Sequence, residues 1–235
     1  MDRAALITGG SSGIGLAIGR MLRDEGFGLT LASRRPEKVQ AAAEELGAHA
    51  VAADVADPEA CARLVEEHRD RFGRLDMLVN SAGVGIAGNI EALPTKHFEL
   101  QVGVNLRGLF FVTQAAIPLL RESRGWIVNL ASIAGTLPTP GLATYGATKA
   151  AVISLTRSLN EELDSDGVRA IAICPGFVDT PMAQWSGLEH EEMIQPEDCA
   201  EVVRMCLRLG PRARVPQVVI ERAGSVNGDV PLSGA

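Results

Sequence analysis

A chain of 235 residues that is 46% hydrophobic and 22% charged holds too much apolar side chain to stay unfolded, and at roughly 150 residues per domain it fits one large domain. Its formal net charge of −7 argues against a broad phosphate-binding face, so no nucleic-acid partner is expected. Cys61, Cys174, Cys199 and Cys206 form no CxxC, and His49, His68, His97 and His190 are scattered, so no metal site is expected and each histidine reads as exposed or internally satisfied.

Met1-Asp2-Arg3 leads straight into an apolar run. No signal peptide is expected there, and a cytoplasmic protein is. Runs at 4–7, 29–32, 50–53, 77–79, 126–130, 170–173 and 218–220 read as strands, apolar throughout as when both sheet faces are covered. Between them lie helix-like segments near 13–25, 36–46, 58–72, 95–121, 143–165 and 196–208, several opening on start signals such as Asp57-Pro58-Glu59 and Gln195-Pro196-Glu197. Strand and helix alternating to the end predict a doubly wound α/β Rossmann fold, with about seven mostly parallel strands and helices on both faces. No linker or repeat divides residues 1–222, read as a single domain, and the small-residue tail 223–235 is expected to be mobile unless it docks.

Residues 125–148 carry no charge over 24 positions, longer than the roughly 20 that span a bilayer. Asn129, Pro138 and Pro140 interrupt them, and a spanning helix would leave backbone groups unsatisfied there. Buried protein is expected, with no membrane partner, and the hydroxyls in this stretch mark a candidate site.

After the first strand comes Thr8-Gly9-Gly10-Ser11-Ser12-Gly13-Ile14-Gly15. Glycines let the backbone approach a pyrophosphate while the following helix offers free N–H groups. The spacing differs from GxGxxG, and no P-loop pattern occurs. At the end of the second strand an NAD site wants a carboxylate and an NADP site a cation. This chain reads Ala32-Ser33-Arg34-Arg35, with no carboxylate before Glu37. Arg34 is the expected partner of a 2′-phosphate, with Ser33 as neutral donor and Arg35 beside them, so NADP(H) is expected over NAD(H).

The single tyrosine, Tyr145, stands four residues before Lys149, so a helix over 143–165 places the two side by side. An ammonium about 5 Å away at an effective dielectric near 20 favours a phenolate by roughly 3 kcal/mol, enough to pull the phenol toward neutrality. Ser132 follows the strand 126–130, at the carboxyl end where ligands bind in such sheets.

With these residues in place the chain resembles the short-chain dehydrogenase/reductase family from about Ala4 to Pro196. Thr8-Gly9-x-x-x-Gly13-x-Gly15 is similar to its cofactor motif, Asp54-Val55 to its adenine-contacting pair, and Asn80-Ser81-Ala82-Gly83 to its Asn-Asn-Ala-Gly. Asn105, Ser132, Tyr145 and Lys149 resemble its catalytic tetrad, and Pro175-Gly176-Phe177-Val178-Asp179-Thr180 its Pro-Gly-x-Val-x-Thr. The resemblance implies hydride transfer between NADP(H) and a ketone or secondary alcohol. Tyr145 would be the general acid or base, Ser132 the donor to the reacting oxygen, and Lys149 the group that lowers the tyrosine pKa and holds the nicotinamide ribose. Asn105 would position a water of a proton relay, and Thr180 would contact the carboxamide. Direction and stereochemistry stay open.

Two departures stand out: Ser81 replaces the second Asn, and Val218-Val219-Ile220-Glu221-Arg222-Ala223-Gly224 stands where many relatives carry Asp-Gly-Gly. The substrate loop is expected over roughly 181–195, where Met182, Trp185, Leu188 and Met193 suggest a hydrophobic substrate. A 3-oxoacyl-thioester reductase is the close alternative. Acidic Glu189, Glu191 and Glu192 speak against an acidic carrier protein, while Arg107 and Arg121 are candidates for a docking patch. A non-catalytic NADP(H) sensor is the alternative from another class, disfavoured by the complete catalytic set. Ala143, Gly146, Ala147, Ala150 and Ala151 on one helix permit close approach, and the resemblance implies a homodimer or homotetramer.

Overall fold

The computed structural model describes residues 2–224. In it the apolar runs form β1 (Ala4–Thr8), β2 (Gly28–Ser33), β3 (His49–Ala52), β4 (Met77–Asn80), β5 (Trp126–Leu130), β6 (Arg169–Pro175) and β7 (Gln217–Ile220). All pair in parallel, in the order β3-β2-β1-β4-β5-β6-β7. Parallel neighbours need long crossovers. These are supplied by α1 (Gly13–Asp24), α2 (Pro36–Leu46), α3 (Pro58–Phe72), α4 (Thr95–Val102) with α5 (Leu109–Ser123), α6 (Ala143–Glu162) and α7 (Pro196–Arg208). The fold is the expected doubly wound Rossmann architecture. Residues 225–235, most of the tail expected to be mobile, lie outside the described residues.

Local chemistry sets the helix ends. Asp57 accepts the Glu59 N–H at 2.9 Å to cap α3, Pro58 fills its first turn, and Gly73 ends it at φ 68°. Gln195 and Asp198 form a reciprocal capping box on α7. Alternate strand residues feed two cores. Ala5 and Ile7 meet Ile18, Leu22 and Val203 on one face, while Leu6 and Leu78 meet Leu64, Val112 and Leu120 on the other.

The chain runs outward from β1 to β3 and then returns to β4 on the other side of β1. The carboxyl ends of β1 and β4 therefore flank the switch point where such sheets open a crevice. Register aligns the edge: Thr8 lies beside Asn80, Asn80 beside Asn129, Leu130 beside Ile173 and Pro175 beside Ile220. Residues just beyond each pair emerge at one rim. The charge-free stretch 125–148 runs through β5, a 3₁₀ turn at Ile133–Gly135 and the start of α6; residues 125–132 are buried as expected, whereas Thr136, Leu137, Pro138 and Pro140 are exposed. Thr95–Ser123 is long and apolar enough to cross a membrane by length and composition, but its Val112, Ala116 and Leu120 pack into the second core.

Candidate active site

The turn after β1 is built for close approach. Gly9 takes φ 66°, and a Cβ there would lie 2.8 Å from the Ser81 carbonyl and the Ala82 nitrogen. Gly13 takes φ 52°, and a Cβ would meet the Thr180 methyl at 2.9 Å. Any side chain at these positions would fill the cradle. Thr8 Oγ1 accepts the Ala82 N–H at 3.3 Å, which holds the turn against the end of β4. Ser12 caps α1 without a side-chain hydrogen bond. The first N–H groups of this helix are thus left for an outside acceptor, and with the helix dipole they suit a diphosphate.

At the end of β2, Arg34 and Arg35 are exposed, and neither side chain has an ion-pair or hydrogen-bond partner among the described residues. The Ser33 hydroxyl beside them donates to the Arg35 carbonyl at 3.3 Å. Asp54 is exposed, and its Oδ1 accepts the Ala56 N–H at 3.0 Å while Val55 is buried.

Ser132 and Tyr145 meet because two glycines let α6 press on the turn behind Ser132. A Cβ on Gly135 would lie 2.7 Å from the Lys149 carbonyl carbon, and one on Gly146 would lie 2.7 Å from the Ala134 oxygen. Gly146, read from sequence as part of a helix-contact surface, is used here within the chain, whereas Ala143, Ala147 and Ala150 are exposed. Ser132 is 8% exposed and hydrogen-bonds the Tyr145 phenol.

The electrostatics depart from expectation. Lys149 sits 5.6 Å from the centroid of the Tyr145 ring, on the predicted face, but its Nζ donates to the Leu130 carbonyl at 2.6 Å. Burial dominates both groups. It pushes the Tyr145 phenol above its ordinary value, with the Ser132 hydrogen bond pulling the other way, and it lowers Lys149 to about 8. The phenol is therefore protonated at neutral pH rather than primed as a phenolate.

The Asn105 and Asn80 side chains are both engaged within the protein. Asn105 lies on a π-helical turn, Gly103–Gly108, between α4 and α5, a widening frequent at functional sites. Its Oδ1 accepts the Val84 N–H at 2.8 Å, and its Nδ2 donates to the Val84 carbonyl at 2.9 Å and to Thr148 Oγ1 at 3.2 Å. The side chain is thus spent fastening the loop after β4 to α6. Gly83 lies between Asn105 and Lys149: a Cβ on it would be 3.5 Å from Asn105 Oδ1 and 3.6 Å from Lys149 Nζ. Asn80 is 3% exposed and faces inward rather than toward a ligand, donating to Thr113 Oγ1 at 3.0 Å and Asn129 Oδ1 at 2.9 Å. Asn129 continues to Thr156 at 2.9 Å. This buried polar chain across β4, β5 and α6 escaped the sequence reading.

The reacting groups open onto a cavity of about 520 Å³. Ile14, Gly83, Ser132, Tyr145, Lys149, Pro175, Gly176, Val178 and Thr180, all singled out from sequence, line it. Gly9, Ser11, Ser12, Gly13, Gly15, Arg34, Arg35, Asp54, Val55 and Ala82 extend from it along the sheet rim toward β2 and β3. The far wall is apolar, with Leu137, Leu142, Phe177 and Met182. Gly85 lets the Met182 thioether and the Tyr145 ring converge, since a Cβ there would lie 3.5 Å from one and 3.7 Å from the other. The loop containing Met182 is tied at its base by Ile194 N–H to the Phe177 carbonyl at 3.0 Å and Asp179 N–H to the Ile194 carbonyl at 2.9 Å. His190 Nδ1 and Asp179 Oδ2, 2.5 Å apart, close it.

Comparison with known proteins places these residues in context. The profile of the short chain dehydrogenase family matches residues 3–190. An uncharacterized oxidoreductase of Staphylococcus epidermidis is 36% identical over 222 residues, covering 93% of this chain and 96% of its own. Among solved structures, an alcohol dehydrogenase from the archaeon Thermococcus sibiricus complexed with 5-hydroxy-NADP superposes with a TM-score of 0.88 at 30% identity, over 95% of this chain and 98% of that one. A 3-ketoacyl-(acyl-carrier-protein) reductase from Brucella melitensis complexed with NADH gives 0.86 at 30% identity, over 94% and 96%.

Proposed function

As the chain belongs to the short-chain dehydrogenase family, we propose that it is an NADP(H)-dependent oxidoreductase that reduces ketones to secondary alcohols, with Tyr145 as proton donor. The observation that carries this reading is the convergence of Ser132, Tyr145 and Lys149 on one cavity at the carboxyl rim of the sheet. The nicotinamide supplies the hydride when bound. The turn at 9–15 and the start of α1 would hold the diphosphate, and Pro175 to Thr180 would wall the nicotinamide end. Burial keeps the proton on Tyr145 Oη, which makes the phenol a donor to a developing alkoxide at neutral pH. Ser132 Oγ, already bonded to the phenol, is placed to donate to the same oxygen. Lys149 brings positive charge close to the ring while anchored on Leu130.

The two solved neighbours carry cofactors of both kinds, so the preference for NADPH rests on Arg34 and Arg35, exposed where an NAD site would want a carboxylate. Titration of the protein with NADPH and NADH tests it. NADPH is expected to bind more tightly, and Arg34→Ala to weaken NADPH by about ten- to a hundredfold, the worth of a charged hydrogen bond to phosphate, without weakening NADH. Equal affinities in the unmodified protein would overturn the preference.

A carrier-linked thioester substrate is disfavoured. Glu189, Glu191 and Glu192 are all exposed on the loop over the cavity. Arg121, a candidate for a basic docking patch, instead pairs with Asp166 at 2.8 Å, just ahead of β6 and at the opposite rim of the sheet.

A further inference from the structure

Apolar side chains favour the interior and amides favour water, and α4 reverses this. It buries Gln101 completely, while Phe98 and Leu100 on the same helix are 47% and 36% exposed. Gln101 Oε1 accepts the Ile86 N–H at 3.2 Å, and its Nε2 has no hydrogen-bond partner among the described residues. A buried amide with one end unmet costs stability where an apolar side chain would add to it. Packing therefore does not account for a glutamine here, and the bond to Ile86 is what it offers.

That bond is one of a pair. Gln101 and Asn105 stand four residues apart, from α4 into the π-helical turn, and so share a face. They hold residues two apart in the loop after β4. Asn105 grips both backbone groups of Val84, at 2.8 and 2.9 Å, and Gln101 takes the Ile86 N–H. The lengths match, since four helical residues rise about 6 Å and two extended ones about 6.6 Å. The Gly88 N–H continues the series on the Gly141 carbonyl at 2.8 Å, just ahead of α6.

The segment so held is a wall of the active site. A Cβ on Gly83 would lie 3.6 Å from Lys149 Nζ. One on Gly85, between the two grips, would lie 3.7 Å from the Tyr145 ring and 3.5 Å from the Met182 thioether. Ser132, beyond β5, bonds the phenol, and Lys149, on α6, lies 5.6 Å from the ring centroid. Burial keeps the Tyr145 proton in place, so a wall that slackens admits water to the phenol.

We propose that Gln101 is a positioning residue: through Ile86 it holds Gly85 against Tyr145 and keeps the phenol dry and aligned for proton transfer. This rests on the reductase reading above and adds to it a residue outside the cavity lining.

Tyr145 is the single tyrosine, so nitration of the full chain by tetranitromethane, without cofactor, reads the exposure and ionisation of this phenol alone. Gln101→Met keeps the volume and loses the acceptor, and Gln101→Asn keeps the amide and loses the reach. Both should nitrate severalfold faster than the unmodified protein. Their kcat for ketone reduction should fall about ten- to a hundredfold, with NADPH affinity within about twofold. Gln101→Glu keeps the acceptor and, when buried, its proton, and should restore both readouts. Unchanged nitration or kcat in the folded variants, equal losses in Gln101→Glu, or a fall in NADPH affinity matching that in kcat would overturn the proposal. Hydrogen exchange of the unmodified protein tests the bond without any variant. The Ile86 amide should exchange as slowly as that of Val84, and a freely exchanging Ile86 amide overturns the proposal. If the unmodified protein reduces no ketone, nitration and exchange still decide the role of Gln101, and the reductase reading alone falls.

Discussion

Two buried basic side chains, one on each side of the β1–β4 switch point, show how the same burial serves opposite ends. His68 on α3 is fully buried under β2. Its Nε2–H donates to the Arg74 carbonyl at 3.0 Å, so Nδ1 accepts the Thr30 hydroxyl at 2.8 Å. Burial lowers it to about 4, and it is neutral with both nitrogens satisfied. Lys149 on α6 is 5% exposed and burial lowers it too, but only to about 8. It stays charged at neutral pH, its Nζ donating to the Leu130 carbonyl at 2.6 Å. A group that has surrendered its charge stabilises the fold. One that keeps its charge costs stability and holds a field at the site.

The largest effect that tests this contrast is on rate. Tyr145→Phe should lower ketone reduction by about a thousandfold, the range for a lost general acid, while leaving NADPH affinity and the unfolding midpoint in place; steady-state rates beside a cofactor titration and a melt check it. Retained activity would mean that another group delivers the proton.

Acid unfolding should expose His68. The unfolded side chain takes a proton below about 6.5 and the folded one only near 4. Its contribution is complete above pH 6.5 and is lost as pH falls toward 4, by about 3 kcal/mol in total. His68→Gln keeps a donor and an acceptor and removes the titration, so the urea-unfolding free energy of the variant should fall less steeply over that range.

Lys149→Met should do the reverse. Unfolded lysine holds its proton to 10.5 while the buried one releases it near 8, so the unprotonated native state gains stability between those values. Below pH 8 the variant should be more stable by about 2 kcal/mol, roughly 3 from relieved burial less about 1 for the Leu130 hydrogen bond, though without activity. The advantage should shrink as pH rises toward 10.5. The buried thiols, raised to about 11 at Cys61, Cys174 and Cys206 and about 12 at Cys199, push the other way. The difference between variant and unmodified protein isolates Lys149.

The elements most legible beforehand are those written within a few residues of chain. Gly9-x-x-x-Gly13-x-Gly15 announces a turn and helix start because φ and cradle space are local properties. Tyr145 and Lys149 share a face because 3.6 residues make a helical turn. Doubly apolar strands announce a covered parallel sheet by the same kind of rule. The direction of the Lys149 ammonium is another matter, since Leu130 comes from β5 and only packing of α6 on that strand brings its carbonyl to Nζ.

Sequence by itself thus determined the fold class, the glycine turn, the Tyr145–Lys149 pair and the exposed arginines after β2, all encoded in short-range periodicity. Tertiary structure alone decided which polar groups face each other across strands. It turned Asn80 into the Asn129–Thr156 chain, set Asn105 to clasp Val84, and kept the Tyr145 phenol protonated. It also brought Arg222 from the far edge of the sheet into the cavity of Ser132 and Tyr145. Strand register and burial govern these outcomes, and both depend on partners distant in the chain, which no local pattern specifies.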